Sequence, residues 1–196
     1  MQQYLTATEV INWQHPNILQ LAKKLATSDT YTTAKACFEW VRDNIYHSSD
    51  YKMNPITCRA SEVLQHKTGY CYAKSHLLAA LLRANSIPTG FCYQRLSVFD
   101  DGAPYSLHGF NAVYLPQYDW YRLDARGNKP GVNAQFNPPQ EQLAYKINFT
   151  EEIDCKHIFA EPLPEIVTAL KTHTTWDEML HNLPDVDRQV LMNNEQ

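Results

Sequence analysis

Lys67-Thr68-Gly69-Tyr70-Cys71-Tyr72-Ala73-Lys74-Ser75-His76-Leu77-Leu78-Ala79-Ala80-Leu81-Leu82-Arg83-Ala84-Asn85-Ser86-Ile87-Pro88 is the stretch that decides the fold. Lys67 to Tyr70 reads as a turn, and Ala73, Leu77, Leu78, Leu81 and Leu82 then repeat at the helical period on one broad apolar face. Ser86-Ile87-Pro88 closes the segment. The pattern predicts a buried central helix from Cys71 to about Asn85, with Cys71 at its N-terminus.

Upstream the chain reads helical. Pro16-Asn17-Ile18 can start one helix and Ser28-Asp29 a second, whose face carries Ala34, Cys37, Phe38, Val41 and Ile45. Ala60 to Leu64 makes a short helical piece after the break at Asn54-Pro55. Downstream the period changes. Thr89 to Phe99 is rich in aromatic and β-branched residues, and Asp100-Asp101-Gly102 reads as a hairpin turn. Further strands are expected near Ser106 to Leu115 and Trp120 to Ala125, around the turn at Pro116 to Asp119. Tight turns between successive strands imply an antiparallel meander. Arg126 to Pro139 is Gly/Pro/Asn-rich loop, a strand is expected near Cys155 to Ala160, and helical spacing returns from Pro164 to His181. Helices first and strands afterwards place the chain in the α+β class, with additional N- and C-terminal helices. At 196 residues it is read as a single domain over 1–196, with a core at about 30–160 and a helical extension over 161–196.

The composition is 44% hydrophobic and 19% charged, which is ordinary for a globular protein. A formal net charge of −4 and the lack of any Lys/Arg-rich run argue against nucleic acid and anionic membranes as partners. No run has the length and apolarity of a signal peptide or a membrane span, so a cytoplasmic location is expected. The five cysteines are widely spaced and include no Cys-x-x-Cys pair, so free thiols are expected rather than zinc or a disulfide framework. The eight histidines lack metal-ligand spacing; no metal and no cofactor are expected.

Chemistry concentrates in an ordered trio: Cys71, His108 in Leu107-His108-Gly109-Phe110, and Asp124 in Tyr121-Arg122-Leu123-Asp124. These types supply a nucleophile, a base and an orienting carboxylate. The positive end of the helix dipole favours an anion at Cys71, and His108 and Asp124 fall on successive predicted strands. Singly, each has a plainer reading as inert core, structural strand histidine or turn cap. Together they point to a thiol enzyme. The Cys71 backbone N–H is a natural oxyanion donor. A second is expected from the segment before the helix, where Tyr46, His47, Tyr51 and Asn54 are available and Tyr51 is the working choice. Tyr70, Phe110, Trp120 and Arg126 are candidate substrate-binding residues, weighed against simple core packing for the aromatics and a solvated loop cation for Arg126. His76 is expected to point away from the thiol, as a structural or exposed residue.

From Ala36 to Ala125 the chain resembles the transglutaminase-like branch of the papain-like cysteine enzymes. The resemblance rests on Val41-Arg42-Asp43-Asn44-Ile45-Tyr46, Ala60-Ser61-Glu62-Val63-Leu64, Gly69-Tyr70-Cys71, Ala79 to Pro88, His108 to Leu115 and Trp120 to Ala125. It implies a nucleophile-bearing helix packed on an antiparallel sheet, with Cys71, His108 and Asp124 as a triad acting on amide bonds through a thioester. The family usually carries Trp two residues after the His and often an acidic residue two further on; here these are Phe110 and Ala112. Fold does not name the substrate. The leading expectation is a peptidase or amidase acting on a peptide or small amide. The alternatives are an acyltransferase using an amine acceptor and a catalytically silent binding protein.

Overall fold

A computed structural model describes residues 1–193. Three helices form the first layer: α1 (Pro16–Leu25), α2 (Thr30–Asn44) and, further on, α4 (Ala60–His66). Pro16 opens α1, where its missing N–H costs nothing, and Asp29 caps α2 by accepting from Thr32 N at 2.9 Å. Between them, β1 (Tyr46–His47) and the single turn α3 (Ser48–Tyr51) lead to β2 (Thr68–Gly69). β1 and β2 pair in parallel, with His47 opposite Gly69. The expected turn at Lys67 to Tyr70 therefore contains a short strand, and that strand delivers the chain to α5 (Cys71–Ala84).

α5 is the centre of the molecule. Leu77, Leu78, Ala79, Ala80, Leu81 and Leu82 are all fully buried, because the first-layer helices cover one side and the main sheet the other. A helix enclosed all round must also satisfy its polar side chains internally. Lys74 Nζ bonds the carbonyls of Ile45 and Arg42 at the end of α2. Arg83 bonds those of Thr6, Thr89 and Ala160 at 2.7, 2.8 and 2.6 Å. His76 is buried and holds the Cys58 carbonyl at 2.8 Å, which settles the structural-or-exposed choice in favour of structure.

The main sheet has the order β5-β4-β3-β6, built from β3 (Thr89–Ser97), β4 (Tyr105–Leu115), β5 (Asp119–Leu123) and β6 (Ile153–Asp154). β3, β4 and β5 are the expected antiparallel meander. Residues paired across strands share a face. Phe91, Asn111, Val113, Tyr121 and Leu123 face α5, where Asn111 Nδ2 donates to Ser75 O at 3.1 Å. Gln94, His108, Phe110, Ala112 and Arg122 lie on the opposite face, under the irregular segment 126–152.

Three expectations need correction. The last strand is at Ile153–Asp154 rather than Cys155 to Ala160; the latter follows the edge of β3 through Cys155 N to Tyr93 O and one isolated bridge, Phe159 to Phe91. β5 ends at Leu123, so Asp124 and Ala125 lie beyond the strand. The helical stretch from Pro164 to His181 is two helices, α6 (Pro164–Thr172) and α7 (Trp176–His181), separated where Thr175 forms a capping box with Glu178. A last helix, α8 (Arg188–Asn193), ends the described chain. Among the described residues no helix is long and apolar enough to cross a membrane.

Candidate active site

Cys71 is the first residue of α5, so its N–H has no intrahelical partner. Gly109, beside His108 on β4, lets the strand approach this helix start closely. A Cβ at position 109 would lie 2.9 Å from Tyr72 Cδ1. Tyr72 in turn donates its hydroxyl to the carbonyl of Leu107, tying the residue after Cys71 to the residue before His108. Two local devices, a small residue and a tyrosine tether, thus hold β4 against the head of the helix.

His108 is buried, and its ring is fixed on every side. Nε2 bonds Asp124 Oδ2 at 2.7 Å. Phe110 stacks on it at 5.7 Å and 17°, and Tyr145 meets it edge-on at 4.9 Å. Burial opposes the imidazolium, but the charges of Asp124 and Cys71 and hydrogen bonds to both raise the His108 pKa to about 10. Asp124 sits just past β5 and accepts two further hydrogen bonds, from Arg126 N and Ala144 N, each at 3.0 Å. Burial disfavours its charge, yet His108 and these two N–H donors hold its carboxyl below the usual carboxylate range.

Cys71 and His108 line a cleft of about 1310 Å³ that runs between segment 126–152 and the sheet. The other cysteines differ in setting. Burial raises the Cys37 pKa to about 12 and that of Cys58 to about 11, and it also raises Cys92, so these remain thiols. No disulfide joins any of the five.

The structure separates the candidate substrate-binding residues. Tyr70 lines the cleft, but its hydroxyl is taken by Trp176 O at 2.6 Å. Arg126 also lines it, but its guanidinium is engaged by Asp50 at 2.6 and 3.0 Å, with Lys129 on the same carboxylate at 2.7 Å. The carboxylate these cations meet is the chain's own. Phe110 lies outside the cleft, packed with Cys92 and Ala112 behind His108. Trp120 is outside as well, packed on Tyr4 and Tyr114 at the far end of β5. Both lie on the same face of the sheet as His108 but further along the strands, where their rings join the apolar cluster of Cys92 and Ala112. Tyr51 is 58% exposed, packs at a tilt on Tyr46 and does not line the cleft. His47 does line it, paired with Gly69 two residues before Cys71.

Three contributors had no signal in the sequence. Asp50 and Tyr145 come from a short turn and a loop, and Ala144 acts through its backbone N–H, which any residue type would supply. Gln94 could have been found from the strand pattern, since it is a polar residue in the middle of β3.

A family model for the transglutaminase-like superfamily matches residues 19–125. No curated protein matches the chain. Among solved structures, a candidate cysteine protease from Cytophaga hutchinsonii aligns with TM-score 0.51 and 22% identity, over 63% of this chain and 40% of its own. The periplasmic domain of TgpA from Pseudomonas aeruginosa aligns with TM-score 0.45 and 17% identity, over 62% of this chain and 45% of its own. The present chain thus spans less than half of either structure, and these likenesses concern fold. Because the family model covers more than half of the 196 residues, the chain belongs to the transglutaminase-like superfamily of cysteine-based enzymes.

Proposed function

We propose that this protein is a cysteine hydrolase of amide bonds, working through a thioester with Cys71 as nucleophile, His108 as acid and base, and Asp124 as orienting carboxylate. The observation that carries the reading is the buried His108–Asp124 hydrogen bond of 2.7 Å, on a ring that lines the same cleft as Cys71 at the head of α5. In this reading the Cys71 sulfur attacks the amide carbon, and the carbonyl oxygen takes up negative charge. The Cys71 N–H faces that charge, and His47 replaces Tyr51 as the second donor. Burial keeps His47 well below its ordinary pKa and therefore neutral; the role assigned to it here requires the tautomer in which Ser49 Oγ, 3.1 Å away, donates to Nδ1 and Nε2 carries the proton. His108 gives its proton to the leaving nitrogen as the C–N bond breaks, leaving an S-acyl group on Cys71. Water then attacks the thioester carbon, His108 takes the water proton, and the acid and free sulfur are released. Asp124 fixes the tautomer by accepting from Nε2, which leaves Nδ1 for the sulfur and the substrate.

The test uses p-nitrophenyl acetate as acyl donor and peptide mass mapping of the product. Acetyl on Cys71, with a burst of p-nitrophenol that Cys71→Ala abolishes, is expected. Acetylation spread evenly over the other cysteines, or a burst that survives Cys71→Ala, would overturn the assignment.

A further inference from the structure

The cleft is longer than the proposed chemistry needs. From His108 it continues past Gln94 and Ser97 to Asp100, along the outer edge of the β3–β4 hairpin. Three residues of strand from Gln94 to Ser97 span about 10 Å, the length of about three extended residues of a bound chain. At the near end of this extension, Gln94 pairs with His108 across the β3–β4 ladder, so the two side chains share a face. Gln94 is 2% exposed, and its Oε1 is buried with no hydrogen-bond partner among the described residues. A buried acceptor left unmade is costly and rare, and because Gln94 lines the cleft, a turn of its amide brings this oxygen within reach of a donor from outside.

From this we infer that Gln94 is a specificity-determining residue whose Oε1 accepts an amide N–H from the leaving half of the substrate. The inference rests on the thioester reading above. In that reading His108 protonates the leaving nitrogen, so the leaving half lies on the His108 side of the sulfur, and Gln94 is the strand neighbour of His108 on that side. The substrate class is then a peptide-like chain whose leaving amine carries a further amide one step on. An amide whose leaving group is ammonia alone gives Gln94 nothing to bind. Apolar Leu96, Val98 and Leu180 complete the walls of the extension and suit side chains of such a segment.

By microscopic reversibility, an amine acceptor must enter where the leaving amine departs. The full chain is loaded with acetyl from p-nitrophenyl acetate: the S–C bond forms, the C–O bond breaks and p-nitrophenolate leaves. Glycinamide and glycine methyl ester then compete in one tube. Each attacks the thioester carbon through its amine, His108 takes the amine proton, and Cys71 is freed; only glycinamide offers the second N–H. Wild type is expected to form acetylglycinamide over the acetylglycine ester by about tenfold. Gln94→Met should bring the ratio close to one, and Gln94→Glu, which keeps an acceptor, should restore the preference. Equal products in wild type, a preference that persists in Gln94→Met, or an acetyl-enzyme that passes to water alone would each overturn the inference. Absence of any Cys71-dependent burst would overturn the thioester reading, and this one with it.

Discussion

The helix-and-meander core and the segment 126–152 that covers it are built on opposite principles. In the core, α5 is held by fully buried leucines and alanines and by three strands in unbroken register. The covering segment has almost no regular structure; Phe136 anchors it in the core against Phe38 and Tyr121, and elsewhere it is held by polar pins. Asn128 accepts from Ala134 N at 2.7 Å. Glu141 joins Asp154 in gripping the Arg122 guanidinium, at 2.6 to 3.0 Å. Glu152 receives the N–H groups of Ser97, Asn148 and Phe149 at 2.9, 2.6 and 3.1 Å. Apolar burial makes the core cooperative, because each contact depends on its neighbours. Polar pins give the cover a precise but piecewise attachment, with each carboxylate serving a few N–H groups. The cleft lies along the seam between these two kinds of construction.

The consequences can be ordered by size. Cys71→Ala is expected to lower acyl turnover by at least about 10³-fold with little change in stability, measured as burst amplitude beside a thermal melt. Leu78→Ala, at a fully buried site in α5, is expected to cost about 2–5 kcal/mol in a single cooperative urea transition. A split transition would show that the core is not one unit. Gly109→Ala forces β4 and Tyr72 apart from the 2.9 Å approach, and is expected to reduce acylation by about 10²-fold while leaving most of the stability in place. Glu152→Gln can serve only one side of its cluster and is expected to cost about 1–3 kcal/mol locally. Hydrogen exchange should quicken at Asn148 and Phe149 while α5 amides keep their protection; equal quickening in both would mean that the cover is part of the core after all.

The smallest effect is read against pH. His108 has its pKa raised from 6.5 to about 10 on folding, so its stabilisation is complete below about pH 6.5 and is lost as pH rises through about 10. The Tm gap between wild type and His108→Ala should therefore narrow from neutral to strongly alkaline pH. A gap that widens instead would mean that the ring is held neutral.

How far the chain could be read follows the same division. The apolar repeat of Ala73, Leu77, Leu78, Leu81 and Leu82 announces α5 because it keeps the helical period over a broad face, while the buried Lys74, His76 and Arg83 give no sign of their burial. Residues 89–97 announce a strand because their content is aromatic and β-branched, and 105–115 and 119–123 because tight turns bound them. Cys71, His108 and Asp124 could be singled out because each belongs to one of these legible elements or to its edge. Segment 126–152 carries no period to read. Arg126 looked like a free loop cation because its partner, Asp50, lies 76 residues away in a one-turn helix. Phe110 and Trp120 looked like cleft residues because nearness in sequence to His108 and Asp124 says nothing about how far along that face of the sheet the cleft extends. Tyr51 failed for a related reason: in a single turn of helix, one step separates a residue facing the cleft from one facing water.

The double duty of Asp124 has a bearing on how the protein matures. Its Oδ2 holds both the His108 ring at 2.7 Å and the Ala144 backbone at 3.0 Å. A chain emerging during synthesis completes α5, strands β3 to β5 and all three members of the trio before residue 144 exists. Until that late segment docks, the carboxylate lacks one of its donors and Tyr145 is not there to flank the imidazole. On the proposed function, the nascent core would carry its sulfur, ring and carboxylate less firmly aligned, so full catalytic competence would wait on the cover.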